Sequence, residues 1–195
     1  MKKIFAAAVA ALVCISVDAQ LWVGGSLAVK SINDEDASDI RETQLDFEPT
    51  VGYALSDNFE IGATLELSTI SNYMNTEDGK YTGFGISPFA RYKFFESGKL
   101  SFHIQGGVSY FSSKTKYPAS RIEVLEGNFE LIPAQTIKSQ EFKVGVEPLV
   151  KYSITDHIAL VSSFGWLGFN STKDDYSMLK LNLDSELSFG IYYAF

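Results

Sequence analysis

The feature that most constrains this chain is the alternation of its C-terminal segment. From Leu179 to Phe195, the odd positions read Leu179, Leu181, Leu183, Ser185, Leu187, Phe189, Ile191, Tyr193 and Phe195. The even positions read Lys180, Asn182, Asp184, Glu186, Ser188, Gly190, Tyr192 and Ala194. A period of two places one set on each face of an extended strand, and a helix cannot sustain it. The run is also far longer than the usual strand of about five or six residues. It predicts a strand that spans something and separates an apolar side from a polar one.

The same alternation recurs upstream. Leu45, Phe47, Val51, Tyr53 and Leu55 interleave with Gln44, Asp46, Glu48, Thr50 and Gly52, and Phe59, Ile61, Ala63, Leu65 and Leu67 interleave with Glu60, Gly62, Thr64 and Glu66. Phe84–Phe94, Leu100–Tyr110 and Phe142–Tyr152 repeat it. Ile158, Leu160, Phe164 and Trp166 give a less clean seventh strand with those four residues on its apolar face. Leu21–Lys30 is a first strand whose Gly24-Gly25 pair blurs its faces. That makes eight strands.

An internal repeat marks the strand ends. Glu48-Pro49-Thr50-Val51-Gly52-Tyr53 parallels Glu147-Pro148-Leu149-Val150-Lys151-Tyr152, and Ser87-Pro88-Phe89-Ala90-Arg91-Tyr92 is a third copy. Each copy leads into a turn carrying Asp, Asn, Ser or Gly, at Ser56–Asn58, Phe95–Lys99 and Ser153–His157. The other connections are longer: Ile32–Glu42, Asn72–Lys80, Ser112–Ser139 and Asn170–Met178. Short and long connections alternate, as in an up-and-down barrel with turns on one rim and loops on the other.

Alternation alone does not say which face is inside. A soluble barrel hides its apolar face, whereas a membrane barrel turns it to lipid. Four features favour the membrane. The chain begins with Met1-Lys2-Lys3, an apolar run Ile4–Val17 and a small-x-small site at Val17-Asp18-Ala19, which together read as a secretory signal peptide over residues 1–19. The polar face is rich in glycine, as the crowded interior of a narrow barrel requires. Its charges come in both signs, so that Glu48, Glu60, Glu66, Glu141, Glu147, Asp184 and Glu186 are expected to pair with Arg91, Lys93, Lys143 and Lys151 across the lumen. Aromatic residues on the apolar face, among them Tyr53, Phe59, Tyr92, Phe94, Tyr152, Tyr193 and Phe195, gather near the short turns like an interfacial girdle. Closure follows, because no backbone polar group can go unpaired in a bilayer.

The expected fold is therefore all-β: an eight-stranded antiparallel up-and-down transmembrane β-barrel over residues 20–195, with both termini on the short-turn side. Bulky Phe89, Phe111, Leu149, Leu167 and Phe169 are expected to fill its lumen beside the ionic pairs. The composition fits, with 46% hydrophobic residues. Lys and Arg number 16 against 24 Asp and Glu, for a net charge of −8, which argues against a nucleic-acid partner.

The C-terminus Leu187-x-Phe189-x-Ile191-x-Tyr193-x-Phe195 resembles the last strand of bacterial outer-membrane proteins. Eight strands with four long loops resemble the small OmpA/OmpX-type outer membrane protein β-barrel domain family. The Pro-x-x-x-Tyr motif and a mature start at Gln20 are similar to its versions from Bacteroidetes-like bacteria. The resemblance implies outer-membrane localisation, contact with outer-membrane lipids, and recognition of the strand ending in Phe195 by the barrel-assembly machinery. It is compatible with adhesins, scaffolds, narrow pores and a few lipid-modifying enzymes.

Residues with chemistry are few. Cys14 falls within the signal segment, and its surroundings Ala11-Leu12-Val13 differ from a lipoprotein signal, so the mature chain has no cysteine. Of the two histidines, His103 is expected to face the lumen near the periplasmic rim and His157 to lie in a periplasmic turn. Glu60 and Glu66 read as lumen salt bridges rather than an acid–base pair. The acidic stretch Asn33–Asp39 lacks the glycine and terminal glutamate of an EF-hand. No catalytic, cofactor-binding or metal-binding residues are assigned, no cofactor is expected, and the protein is read as a non-enzyme.

The longest connection, Ser112–Ser139, carries apolar residues of its own in the stretch Arg121–Ile132, which reads either as a hairpin above the membrane or as a short helix followed by a strand. It is the candidate site for an extracellular ligand. Two roles remain open: a structural or surface-interaction barrel acting through its four long loops, or a narrow channel for small solutes or ions. The lumen reading makes one direct test. Removing Glu147 from an ion pair is expected to cost about 3–5 kcal/mol, more than trimming the adjacent lipid-facing Val146 to alanine.

Overall fold

The computed structural model describes residues 20–33, 41–73, 78–125, 128–163, 165–173, 177–182 and 188–195. The signal segment, most of the acidic stretch Asn33–Asp39, Phe164 and the charges Asp184 and Glu186 lie outside these residues.

Five long strands carry the first part of the wall: β1 (Gln20–Asn33), β2 (Arg41–Ser56), β3 (Phe59–Ser71), β4 (Lys80–Ser97) and β5 (Leu100–Tyr117). A separate small hairpin follows, β6 (Ser120–Leu125) paired with β7 (Asn128–Ile132). The wall resumes with β8 (Gln135–Ser153). The seventh stave is made of β9 (Ile158–Ser163) and β10 (Trp166–Thr172), and the eighth of β11 (Ser177–Asn182) and β12 (Ser188–Ala194).

All pairings are antiparallel, and β12 pairs with β1 from Trp22↔Ala194 to Ser26↔Gly190, so the eight staves close. The three short turns share one rim with Gln20 and Phe195, where Phe195 N–H donates to the Leu21 carbonyl at 3.0 Å. The tight Ser97–Leu100 turn needs a left-handed residue, and Gly98 supplies it at φ 59°.

The 112–139 connection is a hairpin rather than a helix and strand. β5 and β8 stay paired as far as Tyr117↔Gln135, with β4 beside β5 as far as Lys80↔Lys116, so most of this stretch continues the wall, past the last β10 partner at Thr172↔Glu141. Only the tip beyond it leaves the wall, as β6 and β7.

Burial follows the alternation through β2, β3, β4, β5 and the lower part of β8. Phe47, Ile61, Phe84, Ile86, Tyr92, Tyr110, Phe142, Val144 and Val146 are exposed on the outer face, which suits contact with lipid. At the short-turn rim, Phe94 and Phe95 both pack against Phe102, and Tyr193 packs edge-on against Phe195.

The seventh stave departs from the expectation. The register between β8 and β9 pairs Leu149 with Ser163, whereas that between β8 and β10 pairs Val146 with Leu167. One extra residue therefore sits in the seventh stave around Gly165, which takes φ 74°. The break faces the stretch of β8 that holds Pro148, which has no N–H to offer a neighbour. A one-residue slip exchanges the faces. Trp166 consequently turns inward, against Gly145, while Leu167 and Phe169 are exposed on the outside. The expectation that Leu167 and Phe169 fill the lumen is thus corrected, as is the outward placement of Trp166. Phe89 and Leu149 are buried inside as expected, and the Phe111 ring lies over Gly83 and Gly85.

Candidate functional site

The inward faces build two distinct layers along the lumen. Nearer the short-turn rim, buried side chains from several staves meet around Arg91, which is only 1% exposed. Its guanidinium carbon lies 5.2 Å from the Trp22 ring centroid, 5.1 Å from that of Phe89 and 5.4 Å from that of Tyr192. Trp22 stacks on Tyr192 at 4.5 Å. A cation over aromatic faces in a desolvated site gains up to about 2 kcal/mol per contact. Leu149, Ala159 and Val161 are buried beside this cage.

The glycines of the polar face explain how the rings fit. A Cβ on Gly52 would overlap the Trp22 ring, and one on Gly62 would stand 2.5 Å from Phe89 Cζ. The wall is thinned where an aromatic lies flat upon it.

Hydrogen bonds fix the cage. Arg91 donates to Gln105 Oε1 at 3.1 and 2.7 Å, and to Glu60 at 3.3 Å. Glu60 also takes Lys151 at 3.5 Å. Gln105 in turn donates to Glu147 at 2.5 Å. The layer is therefore a continuous strap of ionic and amide contacts wrapped by three rings.

Above it lies a cavity of about 410 Å³, lined by Glu48, Glu66, Glu141 and Glu147 with Lys143, Trp166 and several hydroxyl side chains. The lumen is thus drier at the Arg91 layer than above it. Among the described residues, neither Glu48 nor Glu147 has a cation within 4 Å. Glu48 accepts from Ser26 at 2.8 Å and Glu147 from Gln105. Glu66 likewise takes hydroxyls, from Ser109 at 3.0 Å and from Ser87. The expected pairing of Glu48, Glu66 and Glu147 with the lumen lysines and Arg91 is corrected: Glu60 carries the ionic load, and Glu141 pairs with Lys143 at 3.2 Å. Two geometric reasons apply. Glu60 stands directly opposite Arg91 across β3 and β4, while Glu48 and Glu66 lie a level higher. Glu147 is level with Arg91 but two staves away, and Gln105 stands between them.

His103 faces inward and is 3% exposed. Its Nε2 lies 2.8 Å from Ser101 Oγ, which is the spacing of a nucleophile and base. The resemblance stops there. His103 Nδ1 is buried without a hydrogen-bond partner, so no acid orients the ring, and Ser101 is itself buried. Ser101 Oγ also lies 3.5 Å from the Lys151 carbonyl, a structural alternative for its proton. His157 is exposed in its turn, where Nδ1 lies 3.0 Å from the Ala194 carbonyl and the ring stacks on Tyr193. It ties the terminal strand to the rim. No group of three or more metal-ligating side chains occurs among the described residues.

Sequence reasoning placed Arg91, Glu60 and Phe89 inside but missed Trp22 and Gln105 as their partners. Tyr192 was the one large residue on an otherwise small or polar face, and that anomaly was the available signal.

A closed antiparallel barrel with an apolar band outside and an ionic strap within defines an outer-membrane barrel protein. The family model for the outer membrane protein beta-barrel domain matches residues 4–195, and the chain belongs to that family. This places it in the bacterial outer membrane. A search of curated proteins finds no match. Among solved structures, the chain is similar to a major outer membrane protein from Thermus thermophilus, at 15% identity and TM-score 0.48, covering 92% of this chain and 100% of that one. It is also similar to the N-terminal β-barrel domain of Pseudomonas aeruginosa OprF (13% identity, TM-score 0.43, 90% and 97% covered). A third is Escherichia coli outer membrane protein W (16%, 0.41, 90% and 97%).

Proposed function

We propose that this protein is a non-enzymatic surface barrel that acts through its long-loop rim, with the β5–β8 projection and its β6–β7 tip as the presenting element. The supporting observation is the Arg91 layer, in which the guanidinium and the rings of Trp22, Phe89 and Tyr192 crowd the lumen and leave about 120 Å³ beside them, against about 410 Å³ in the cavity above. Residues 1–19 serve as the export signal, the termini lie in the periplasm, and the strand ending in Phe195 is what the assembly machinery reads. The Ser101–His103 pair belongs to the interior packing, since neither group is accessible and the base lacks an acid.

Planar-bilayer recording tests this reading. The wild-type barrel is expected to give no steady unitary conductance. Reproducible open channels in the wild type would favour the alternative, a narrow pore for small solutes or ions. For the rim, binding to intact cells or matrix is compared between wild type and a variant in which residues 118–134 are replaced by a two-residue turn. Unchanged binding would remove the projection as the presenting element.

A further inference from the structure

The outer face of the projecting wall carries an arrangement that nothing in the lumen or girdle explains. Along β4 the outward residues run Phe84, Thr82, Lys80. Along β5 they run Tyr110, Ser112, Lys114, Lys116, and along β8 Phe142, Gln140, Lys138. All four lysines are exposed. Each strand changes from aromatic to hydroxyl or amide to lysine within four residues, roughly 13 Å at about 3.4 Å per residue. Lys173 adds a fifth on the neighbouring stave, where its N–H donates to the Gln140 carbonyl at 2.9 Å.

The register makes the cluster costly. Lys80 stands directly opposite Lys116, and Lys114 directly opposite Lys138. Like charges directly opposed across strands are destabilising. Among the described residues, none of the five lysines has a carboxylate within 4 Å, although the chain as a whole carries a net charge of −8. Asp78, the nearest described acid in sequence to Lys80, makes no ion pair with it. A repulsive patch concentrated on one side of an acidic protein implies an anion that offsets it.

We infer that Lys80, Lys114, Lys116, Lys138 and Lys173 form a docking surface for the phosphate groups of a phosphorylated glycolipid in the outer leaflet. Position selects the lipid over a soluble polyanion. The lysines lie on the side of the wall, in line with the lipid-facing Phe84, Tyr110 and Phe142, one step beyond the apolar band, which is headgroup depth. A soluble partner would be met by the loop tips instead. Juxtamembrane lysines gain affinity for anionic headgroups within a Debye length, and the threonine, serine and glutamine between aromatic and lysine can hydrogen-bond the sugar. This inference rests on outer-membrane localisation and is independent of the surface-interaction reading.

The test uses the refolded full barrel in maltoside micelles with EDTA, titrated with diphosphorylated lipid A and with the same lipid stripped of phosphate. The variants are Lys80→Gln/Lys114→Gln/Lys116→Gln/Lys138→Gln, the milder Lys114→Gln/Lys138→Gln, and Lys99→Gln at the opposite rim as a control. Heat-modifiable gel mobility reports folding of each. Wild type and control are expected to bind the phosphorylated lipid at least tenfold more tightly than the stripped one, and the quadruple variant to lose that preference. Stability supplies a second readout with opposite signs. Without phosphorylated lipid the lysine variants should unfold at higher urea than wild type, because repulsive pairs are gone; with it, wild type should be the more stable. Equal binding by wild type and variant overturns the inference. So does loss of sulfated-dextran binding in the variant with lipid A binding unchanged, which would assign the patch to a soluble polyanion.

Discussion

Glu60→Ala should destabilise the barrel far more than Glu147→Ala, although both are inward carboxylates. Glu60 is the counter-ion of Arg91, and the side chains are 12% and 2% exposed. Its removal leaves Arg91 buried with Gln105, the Tyr192 hydroxyl and three ring faces, none of which carries negative charge. Breaking a buried pair from one side costs about 3–5 kcal/mol. The rings retain part of the stabilisation, which puts the expected loss near the lower figure, about 3 kcal/mol. Lys151 also loses its partner, but at 25% exposure it contributes only about 0–1 kcal/mol more. Glu147 holds a single hydrogen bond from Gln105 beside the cavity, so its loss should cost about 1 kcal/mol. Urea unfolding of the refolded barrel in vesicles, followed by tryptophan fluorescence, measures both. A Glu60/Arg91 double-mutant cycle isolates the pair. Equal midpoints for Glu60→Ala and Glu147→Ala, or a larger loss for Glu147→Ala, would refute the assignment of Glu60 as the counter-ion.

Other outcomes follow from the same geometry. Arg91→Ala combined with Trp22→Ala should turn a silent barrel into a conducting one. Its current should favour cations, because Glu48, Glu66, Glu141 and Glu147 face Lys143 alone in the cavity above; bilayer recording in a salt gradient gives the reversal potential. Gly52→Leu should cost about 1–3 kcal/mol by driving a side chain into the Trp22 ring. Pairing it with Trp22→Ala should recover part of that loss in the urea midpoint. At the short-turn rim, the hydrogen bond from Lys93 and then its charge hold the Glu96 carboxyl below the usual range. A lowered folded-state value means that this contribution is present above the unfolded carboxylate pKa of about 4.3 and fades as pH falls through the folded value. Glu96→Gln should therefore flatten a small acid-side slope in stability, and molar salt should hide it.

The alternation made the barrel legible because period two survives wherever one face meets lipid, as at Phe84, Ile86 and Tyr92 of β4. It failed where the count of residues changed. One extra residue near Gly165 exchanged the faces of Trp166, Leu167 and Phe169, and nothing in an already irregular stretch announced it. Ion pairing failed for a different reason. Parity says that a charge points inward but not at what height, and height follows from register. The short turn between β4 and β5 fixes Arg91 opposite Gln105. The β3–β4 connection is long, so the Glu60–Arg91 register could not be read from it. Trp22 was hidden by Gly24-Gly25, which interrupt the first strand's pattern in the place where Tyr192 presses on Gly24.

The wall separates lipid from lumen, and its phase reverses in the seventh stave, well above the register shifts at Ala54/Ser56 and Lys93/Phe95 beside the short turns. The most direct measurement is quenching by brominated lipids of a fluorophore attached to single cysteines, introduced one at a time into the mature chain at Lys143, Val144, Val146, Glu147, Trp166, Leu167 and Phe169. Strong quenching is expected at Val144, Val146, Leu167 and Phe169, and weak quenching at Lys143, Glu147 and Trp166. Strong quenching at Trp166 with weak quenching at Leu167 and Phe169 would contradict the reversal, and equal quenching at Val146 and Glu147 would contradict the wall itself.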